Sequence, residues 1–347
     1  MMIVLFGLTA GSAEAQQRTI RGTVTDSVNA APIAGVTVAV RGTDLGSLSS
    51  NEGTFVIEGV PDGDVTLEVG VELNKAGDGQ IVVRDNAAGI YESEYERAFR
   101  PAELPPDRSG LAEFGMGMKS AACWFSPRWH VTTTALGEDV ERTVRFDIDE
   151  IVEDRLEELD VESRSVRGEA HYTVVTLEEL HRAPHGRTIA KIKDHLASIY
   201  RQFIRDDDLV LRYNGERLSH ETPEILVAPW YKEPKGEPKK WRKEIEFDFG
   251  NGLSAHGFAA IRATGSTSQA GFSLFRRGRV IEGSGDQKYR PSEIFGASNS
   301  YRYQRIFGEL HLEGFEVSHT KDGFVWEEYE GVFLELLREE LDADPKP

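Results

Sequence analysis

The stretch from Ile81 to Ala122 constrains this chain more than any other. A strand-like run, Ile81-Val82-Val83, ends on Asp85-Asn86-Ala87-Ala88-Gly89-Ile90, and a Pro-containing gap leads to Phe114-Gly115-Met116-Gly117-Met118-Lys119-Ser120-Ala121-Ala122. The first piece puts a carboxylate at a strand end, where it can accept a hydrogen bond from the exocyclic amine of a base. Gly89 lets the backbone pass close to a planar ring. The second piece is a glycine turn running into a helix. Gly115 and Gly117 leave backbone N–H groups at a helix N-terminus, where the dipole favours phosphate. The pattern predicts a nucleotide pocket with the loop from Phe99 to Glu113 as its lid.

Charge narrows the remaining choices. The 347 residues carry a net charge of −19 and a pI of about 5.0, and the length allows two or three domains with a substantial core. A chain this acidic is a poor general binder of nucleic acid or of anionic membranes. The charge is uneven: Glu138 to Glu162 holds twelve Asp/Glu against three Arg, whereas Lys232 to Lys243 holds six Lys/Arg against two Glu. The basic loop 232–243 is thus the one segment suited to nucleic acid or an acidic partner. The single cysteine, Cys123, excludes an intrachain disulfide and a cysteine zinc site, and its place one turn into an apolar helix predicts a core position. The nine His show no ligand spacing, and Ser120 has no nucleophile-elbow context. No run is long enough to span a membrane as a helix. Met2 to Ala10 is apolar and Ala13-Glu14-Ala15 fits a small-x-small cleavage site, so residues 1–15 read as a secretory signal segment without its basic n-region.

From Thr19 to Gly70 apolar residues recur with period two, in Val36, Val38 and Val40, in Phe55 and Ile57, and in Val65, Leu67 and Val69. Asn51-Glu52-Gly53 and Pro61-Asp62-Gly63-Asp64 supply turns between them, which predicts a small β-sandwich over 16–70. Gly22-Thr23-Val24-Thr25-Asp26, Pro32-Ile33-Ala34-Gly35-Val36-Thr37-Val38 and Asn51-Glu52-Gly53-Thr54-Phe55 resemble the carboxypeptidase regulatory-like domain, which often precedes the plug of TonB-dependent outer-membrane receptors. That resemblance implies an exported, non-catalytic β module.

Past Gly70, Val71-Glu72-Leu73 and Ile81 to Arg84 predict a hairpin turning at Lys75-Ala76-Gly77-Asp78-Gly79. Ser93 and Glu96 form a capping box for a short helix through Phe99. Strands are expected at 129–136, 140–148, 171–177 and 188–192, and Ile192, Leu196, Ile199, Tyr200, Phe203 and Ile204 share one helical face. Leu209 to Tyr213 turns at Asn214-Gly215. Strands at 244–249, 255–262, 271–275 and 279–281 precede a last helix over 329–341. The predicted fold class is multidomain α+β: the β-sandwich 16–70, an α/β sandwich 71–194 and a further α+β domain 195–347.

The two glycine-bearing pieces, in this order, resemble the GHKL superfamily of gyrase B, heat-shock chaperone, histidine kinase and MutL ATPases, and within it the MORC-like branch. Asp85-Asn86-Ala87-Ala88-Gly89-Ile90 resembles the family's Asp-x-Gly-x-Gly box, and Gly115, Met116, Gly117, Met118, Lys119 and Ser120 its second glycine box. Gly186-Arg187-Thr188-Ile189 resembles the late strand whose Thr supports adenine through water. The runs Phe272 to Ile281 and His319-Thr320-Lys321-Asp322-Gly323-Phe324 resemble the transducer domain. The resemblance implies ATP as ligand, Mg²⁺ as its counter-ion, pairing into a homodimer, and Lys119, Lys288 and Lys321 as candidate phosphate contacts.

Two departures reshape that expectation. Ala87 stands where the first glycine of the box belongs, crowding the adenine side and straining the backbone if φ is positive. The family's first helix, with Glu as general base and Asn as Mg²⁺ ligand four residues apart, has no counterpart. The residues four before the seven Asn are Thr25, Ser47, Gly70, Val82, Val210, Phe247 and Phe295, none of them acidic. The expectation is an incomplete ATP-binding domain with weak binding and impaired hydrolysis. One alternative has the missing groups supplied by another protomer; another is an exported scaffold that keeps only the fold. The two resemblances imply opposite compartments, export for 1–70 and cytoplasm beyond, which is what a fusion at 70/71, or an artificial join of two reading frames there, would produce.

Overall fold

The computed structural model describes residues 18–23, 37–39, 46–48, 50–52, 54–60, 66–100, 102–104, 110–111, 114–156, 158–166, 170–326 and 328–346. The signal-like segment 1–15, the turn Pro61–Asp64 and much of the expected lid, residues 105–109 and 112–113, lie outside the described residues. The chain divides into two units between Val65 and Thr66.

In the smaller unit β1 (Arg18–Thr23) pairs antiparallel with β4 (Thr54–Val60), and β2 (Thr37–Ala39) with β3 (Gly46–Leu48). The Asn51 turn is closed by Ser50, whose N–H donates to the Thr54 carbonyl at 2.8 Å. Alternation fixes the faces of β4: Ile57 is buried and Val56 is 43% exposed.

The larger unit begins with β5 (Leu67–Asn74) and turns at Gly77 and Gly79, both with positive φ, into β6 (Gln80–Asp85). Val69 and Leu73 are buried while Glu68 and Glu72 are exposed, so one period-two strand runs through the expected 70/71 boundary and moves it to 65/66. A turn of 3₁₀ helix, Glu92–Glu94, runs into α1 (Tyr95–Phe99) with no side-chain cap, so the expected Ser93/Glu96 box is not formed. Then come α2 (Gly117–Phe125), β7 (Arg128–Thr134), β8 (Val140–Asp147), α3 (Ile148–Asp154), β9 (Val161–Ser165) and β10 (Tyr172–Glu178). After these follow α4 (Arg187–Ile199), α5 (Arg201–Arg205), β11 (Leu209–Tyr213) and β12 (Glu216–Arg217). One sheet runs β12-β11-β5-β6-β10-β7-β8-β9, antiparallel throughout except where β11 lies parallel to β5. Ala122 of α2, Ala197 of α4, and Phe203 and Ile204 of α5 pack on Trp129, Val131, Leu177 and Leu211 of the strands. Trp129 stacks on its cross-strand partner Phe146 at 3.8 Å.

Residues 188–192 are helical, not a strand. Gly186 adopts φ +46° and starts α4, and Ile189, Ile192 and Leu196 then point to the core at helical spacing. The expected 194/195 boundary falls inside this helix, and β11 and β12 belong to the first sheet.

A short ladder of β13 (Val227–Ala228) and β14 (Lys239–Lys240) leads to β15 (Arg242–Gly250), β16 (Leu253–Ile261), β17 (Gly271–Arg276) and β18 (Arg279–Glu282). Beyond these come α6 (Ser292–Phe295), α7 (Tyr301–Arg305), β19 (Ile306–Glu313), the small pair β20 (Glu316–Val317) and β21 (Phe324–Val325), and α8 (Tyr329–Asp342). The second sheet is ordered β15-β16-β19-β17-β18. Its core gathers Phe272, Leu274, Leu310 and Leu312 with Phe295 of α6 and Phe333 of α8, all fully buried. Two cations of the basic loop reach the C-terminal segment: Lys232 pairs with Asp344 at 2.6 Å, and Lys243 Nζ donates to the Glu340 and Ala343 carbonyls at 2.5 and 2.7 Å.

The first sheet's helical layer meets the second sheet at Glu309 on β19. Arg201 Nε donates to it at 2.8 Å and Arg205 at 3.1 Å; Arg201 is 3% exposed and lies over the Phe275 ring. Gly278, in the β17–β18 turn, faces the Phe203 ring, where a Cβ would come within 2.7 Å. Burial alone would raise the Glu309 pKa, but the two guanidiniums hold it below the ordinary carboxylate value.

Glu309→Gln is expected to destabilise the protein by about 3–5 kcal/mol, because it leaves a buried guanidinium uncompensated; a urea titration reads the loss. A second outcome concerns acid. Burial, reinforced by Arg201 at His220 and by His256 at His311, pushes both imidazoles down to about 4. The unfolded chain takes up these protons near pH 6.5 and the native state does not, so stability falls as the pH drops from 6.5 towards 4. Each His contributes up to about 3 kcal/mol of that fall. Urea midpoints at pH 7 and pH 4 measure the sum, and His311→Phe is expected to flatten the slope.

Candidate functional site

Asp85 is the last residue of β6 and is 6% exposed. It lies in one cross-strand row with Val69 of β5, Thr173 of β10 and Thr133 of β7. Its carboxylate accepts the Ala87 N–H at 3.0 Å. Burial raises its pKa, while the N–H groups of Ala87 and Thr173 favour the ionised form. Asn86 ties the turn back to β5, its Oδ1 accepting the Glu68 N–H at 2.7 Å.

The chain then crosses the sheet end. The Ala87 carbonyl lies 3.0 Å from His171 Nδ1, the Leu136 N–H donates to the Ala88 carbonyl, and the Ile90 N–H donates to Thr133 Oγ1 at 2.9 Å. Thr133 Oγ1 in turn reaches the Tyr172 carbonyl at 3.0 Å. Gly89 makes this crossing possible: its φ is +75°, and a Cβ would sit 2.0 Å from the Thr134 carbonyl oxygen. Ala87 keeps a negative φ, so the expected backbone strain is absent.

The second glycine piece is held by a close approach of its own. Gly115 has φ +61°, and a Cβ would lie 1.9 Å from the Glu103 carbonyl oxygen. Met116 caps α2 and is 42% exposed, Gly117 is its first residue with open space where a Cβ would stand, and Met118 packs inward. The Ser120 N–H donates to the Met116 carbonyl, so the N–H groups of Gly117, Met118 and Lys119 form the orphan first turn of a nine-residue helix. This turn has the chemistry to receive a phosphate oxygen.

Three expected residues are placed otherwise. Lys119 is buried, and its ammonium donates to the Ala98 and Arg100 carbonyls at 2.8 and 2.9 Å, closing the C-terminal end of α1; burial, then Arg97, lowers its pKa. Thr188 is exposed in the first turn of α4. Thr173 occupies the position beside Asp85 and Thr133 instead, and the only signal for it is strand register, which sequence spacing does not give. Cys123 is exposed, because α2 buries the side holding Lys119 and Ala122.

Around the second piece, Lys321 Nζ donates to the Leu111 carbonyl and lies 5.9 Å from the Phe114 ring centroid. Arg277 donates to the Gly110 carbonyl at 2.6 Å, and His319 meets Phe114 edge to face. The Gly110–Leu111 end of the lid is thus held by Arg277 of the β17–β18 turn and Lys321 of the β20–β21 turn. Lys288 lies elsewhere, in a cavity of about 670 Å³ whose lining includes neither glycine piece.

At the start of α2 the side chains present do not make a Mg²⁺ ligand set. Among the described residues no three His, Cys, Asp or Glu side chains gather into a metal site, and no helix of the larger unit precedes β5. The first turn of α2 offers Met, Lys and Ser side chains and no carboxylate.

Residues 63–173 match the family model described as histidine kinase-, DNA gyrase B-, and HSP90-like ATPase, a span holding Asp85, both glycine pieces and Thr173. Residues 19–88 match the carboxypeptidase regulatory-like domain. No curated protein matches the chain. The chain therefore carries a domain of each kind. The two matches overlap on residues 63–88, where β5 and β6 belong to the eight-stranded sheet.

The two glycines are expected to separate in mutagenesis. Gly89→Ala forces a Cβ onto backbone at positive φ and should cost well over 1 kcal/mol. Gly117→Ala enters open space at a helix start and should stay within about 1 kcal/mol of wild type. Thermal melts of the two variants check the contrast.

Proposed function

We propose that the larger unit binds ATP at the end of its first sheet and hydrolyses it poorly. Asp85 accepts the adenine amine, Thr173 and Thr133 hold the row in which it stands, and the first-turn N–H groups of α2 take phosphate. The observation that carries this reading is the buried Asp85 carboxylate, fixed by the Ala87 and Thr173 N–H groups at a strand end that Gly89 alone can pass. Poor turnover is expected because, among the described residues of the larger unit, no helix that could carry a general base and a metal ligand precedes β5.

The second sheet is read as a transducer of the MORC-like kind. Support comes from Lys321 and Arg277, which grip the carbonyls of Leu111 and Gly110 just ahead of the second glycine piece. A nucleotide that moved this loop would act on both. The smaller unit is read as a non-catalytic β module that accompanies the ATPase-like part, with the match over 19–88 as its support.

Calorimetric titration of ATP, with and without Mg²⁺, paired with phosphate release, tests the assignment. Weak binding with little dependence on Mg²⁺ and negligible turnover is expected; robust turnover overturns the impaired-hydrolysis reading. Asp85→Asn should weaken binding about tenfold or more, the effect of losing a charged hydrogen bond. Unchanged affinity in that variant overturns the adenine site. Light scattering of the same samples reads the ATP-dependent pairing of two copies that the family resemblance implies.

A further inference from the structure

The cavity of about 670 Å³ lies against α4, β18, α6 and α8, a size that suits a small-molecule ligand. Its wall is mixed in charge, and the carboxylates and cations differ in how far they are already satisfied. Glu282 accepts the Phe324 N–H at 2.8 Å, Glu330 accepts the Tyr289 hydroxyl at 2.8 Å, and Asp322 accepts the hydroxyls of Ser318 and Thr320 at 2.7 and 2.6 Å. Glu293 accepts the Ser292 hydroxyl. Each lining carboxylate thus has a donor from the fold.

Two of the cations are not so provided for. Lys288 is mostly buried, yet its ammonium meets only neutral oxygens, the Gly283 carbonyl at 3.1 Å and the Ser273 hydroxyl at 3.4 Å. Among the described residues no carboxylate lies within ion-pair distance of it. The nearby Glu309 is held by Arg201 and Arg205, and Asp194 acts on Lys288 only through space. Burial, then Arg201, lowers the Lys288 pKa to about 8, the mark of an ammonium short of counter-charge. Arg279, on the same wall, has its Nε buried away from the cavity and its guanidinium 5.8 Å from the Tyr200 ring centroid, and among the described residues no carboxylate lies within ion-pair distance of it. Two further lining cations are engaged elsewhere: each nitrogen of Arg290 donates once, to the Ala270 and Ser268 carbonyls and the Tyr303 hydroxyl, and Lys321 donates to the Leu111 carbonyl. An oxyanion entering the cavity would supply the counter-charge that the Lys288 ammonium and the terminal nitrogens of Arg279 lack.

The geometry points to this cavity as a binding site for a small oxyanion, a phosphate- or carboxylate-bearing metabolite, with Lys288 and Arg279 as its counter-ions. Neither Asp85 nor α2 contributes to its wall, although Lys321, which also holds the Leu111 carbonyl, lines it.

Calorimetric titration of the full chain with inorganic phosphate and, separately, with succinate tests the site and distinguishes the two anion classes. At least one of them should bind. Arg279→Gln, at a partly exposed side chain, should weaken that binding about tenfold or more, and Lys288→Met should do the same where circular dichroism shows it folded. Asp85→Asn should leave anion binding unchanged. The proposal is overturned if neither anion binds, if Arg279→Gln binds as wild type does, or if Asp85→Asn abolishes the binding, which would place the anion in the nucleotide site.

Discussion

One carboxylate, Glu309, answers two guanidiniums where the helices of the first sheet meet the second. The balance is one negative charge against two positive, in a place where Arg201 is almost wholly out of water. Attraction within the cluster offsets the desolvation of its members, and the surplus positive charge reaches further. It helps keep His220 and His311 neutral and depresses Lys288. The electrostatics of the second sheet's near face thus begin at this junction, as does the attachment of the sheet itself. Apolar contact alone, such as Phe203 on Gly278, would join the layers without setting the charge around them.

At the other end of the first sheet the same economy of parts holds the turn after Asp85. Four strands contribute to one row, and a single hydroxyl, Thr133 Oγ1, links the returning chain at Ile90 to the strand at Tyr172. A loop held by side-chain and backbone bonds at each step presents a carboxylate at a fixed position, which recognition of a planar base requires. The phosphate end is made differently, from unsatisfied backbone at the start of α2, and a lysine that could have added charge there is turned onto α1 instead.

Much of this was legible in the sequence because it rests on local rules. Period two at Leu67 and Val69 of β5, the apolar run of β6, the Asn214-Gly215 turn with both residues at positive φ, and the closing helix α8 all follow from local pattern and turn chemistry. Gly89 and Gly115 each lie at positive φ against another segment's carbonyl, a close approach that spacing alone does not show. What escaped depends on pairing across distance. Thr188 lies in a Thr-Ile run that looks extended, but Ile189, Ile192 and Leu196 find a core at helical spacing and the helix prevails. Thr173 acquires its place only once β10 pairs with β6 in register. Cys123 sits on an apolar helix whose buried side begins one residue earlier, at Ala122.

The parallel pairing of β5 with β11 has a consequence for how the chain is made. The Leu73 N–H finds its acceptor in Asn214 Oδ1, 141 residues later. At a synthesis rate of about 5–20 residues per second, one edge of β5 waits on the order of ten seconds for its partner strand to emerge. Through that interval a strand bearing Val69, Val71 and Leu73 exposes an open hydrogen-bonding edge, the kind of surface that recruits foreign strands. The alternating Glu68 and Glu72 put charge along the waiting strand, so the residues that mark its solvent face in the finished fold also guard it during birth.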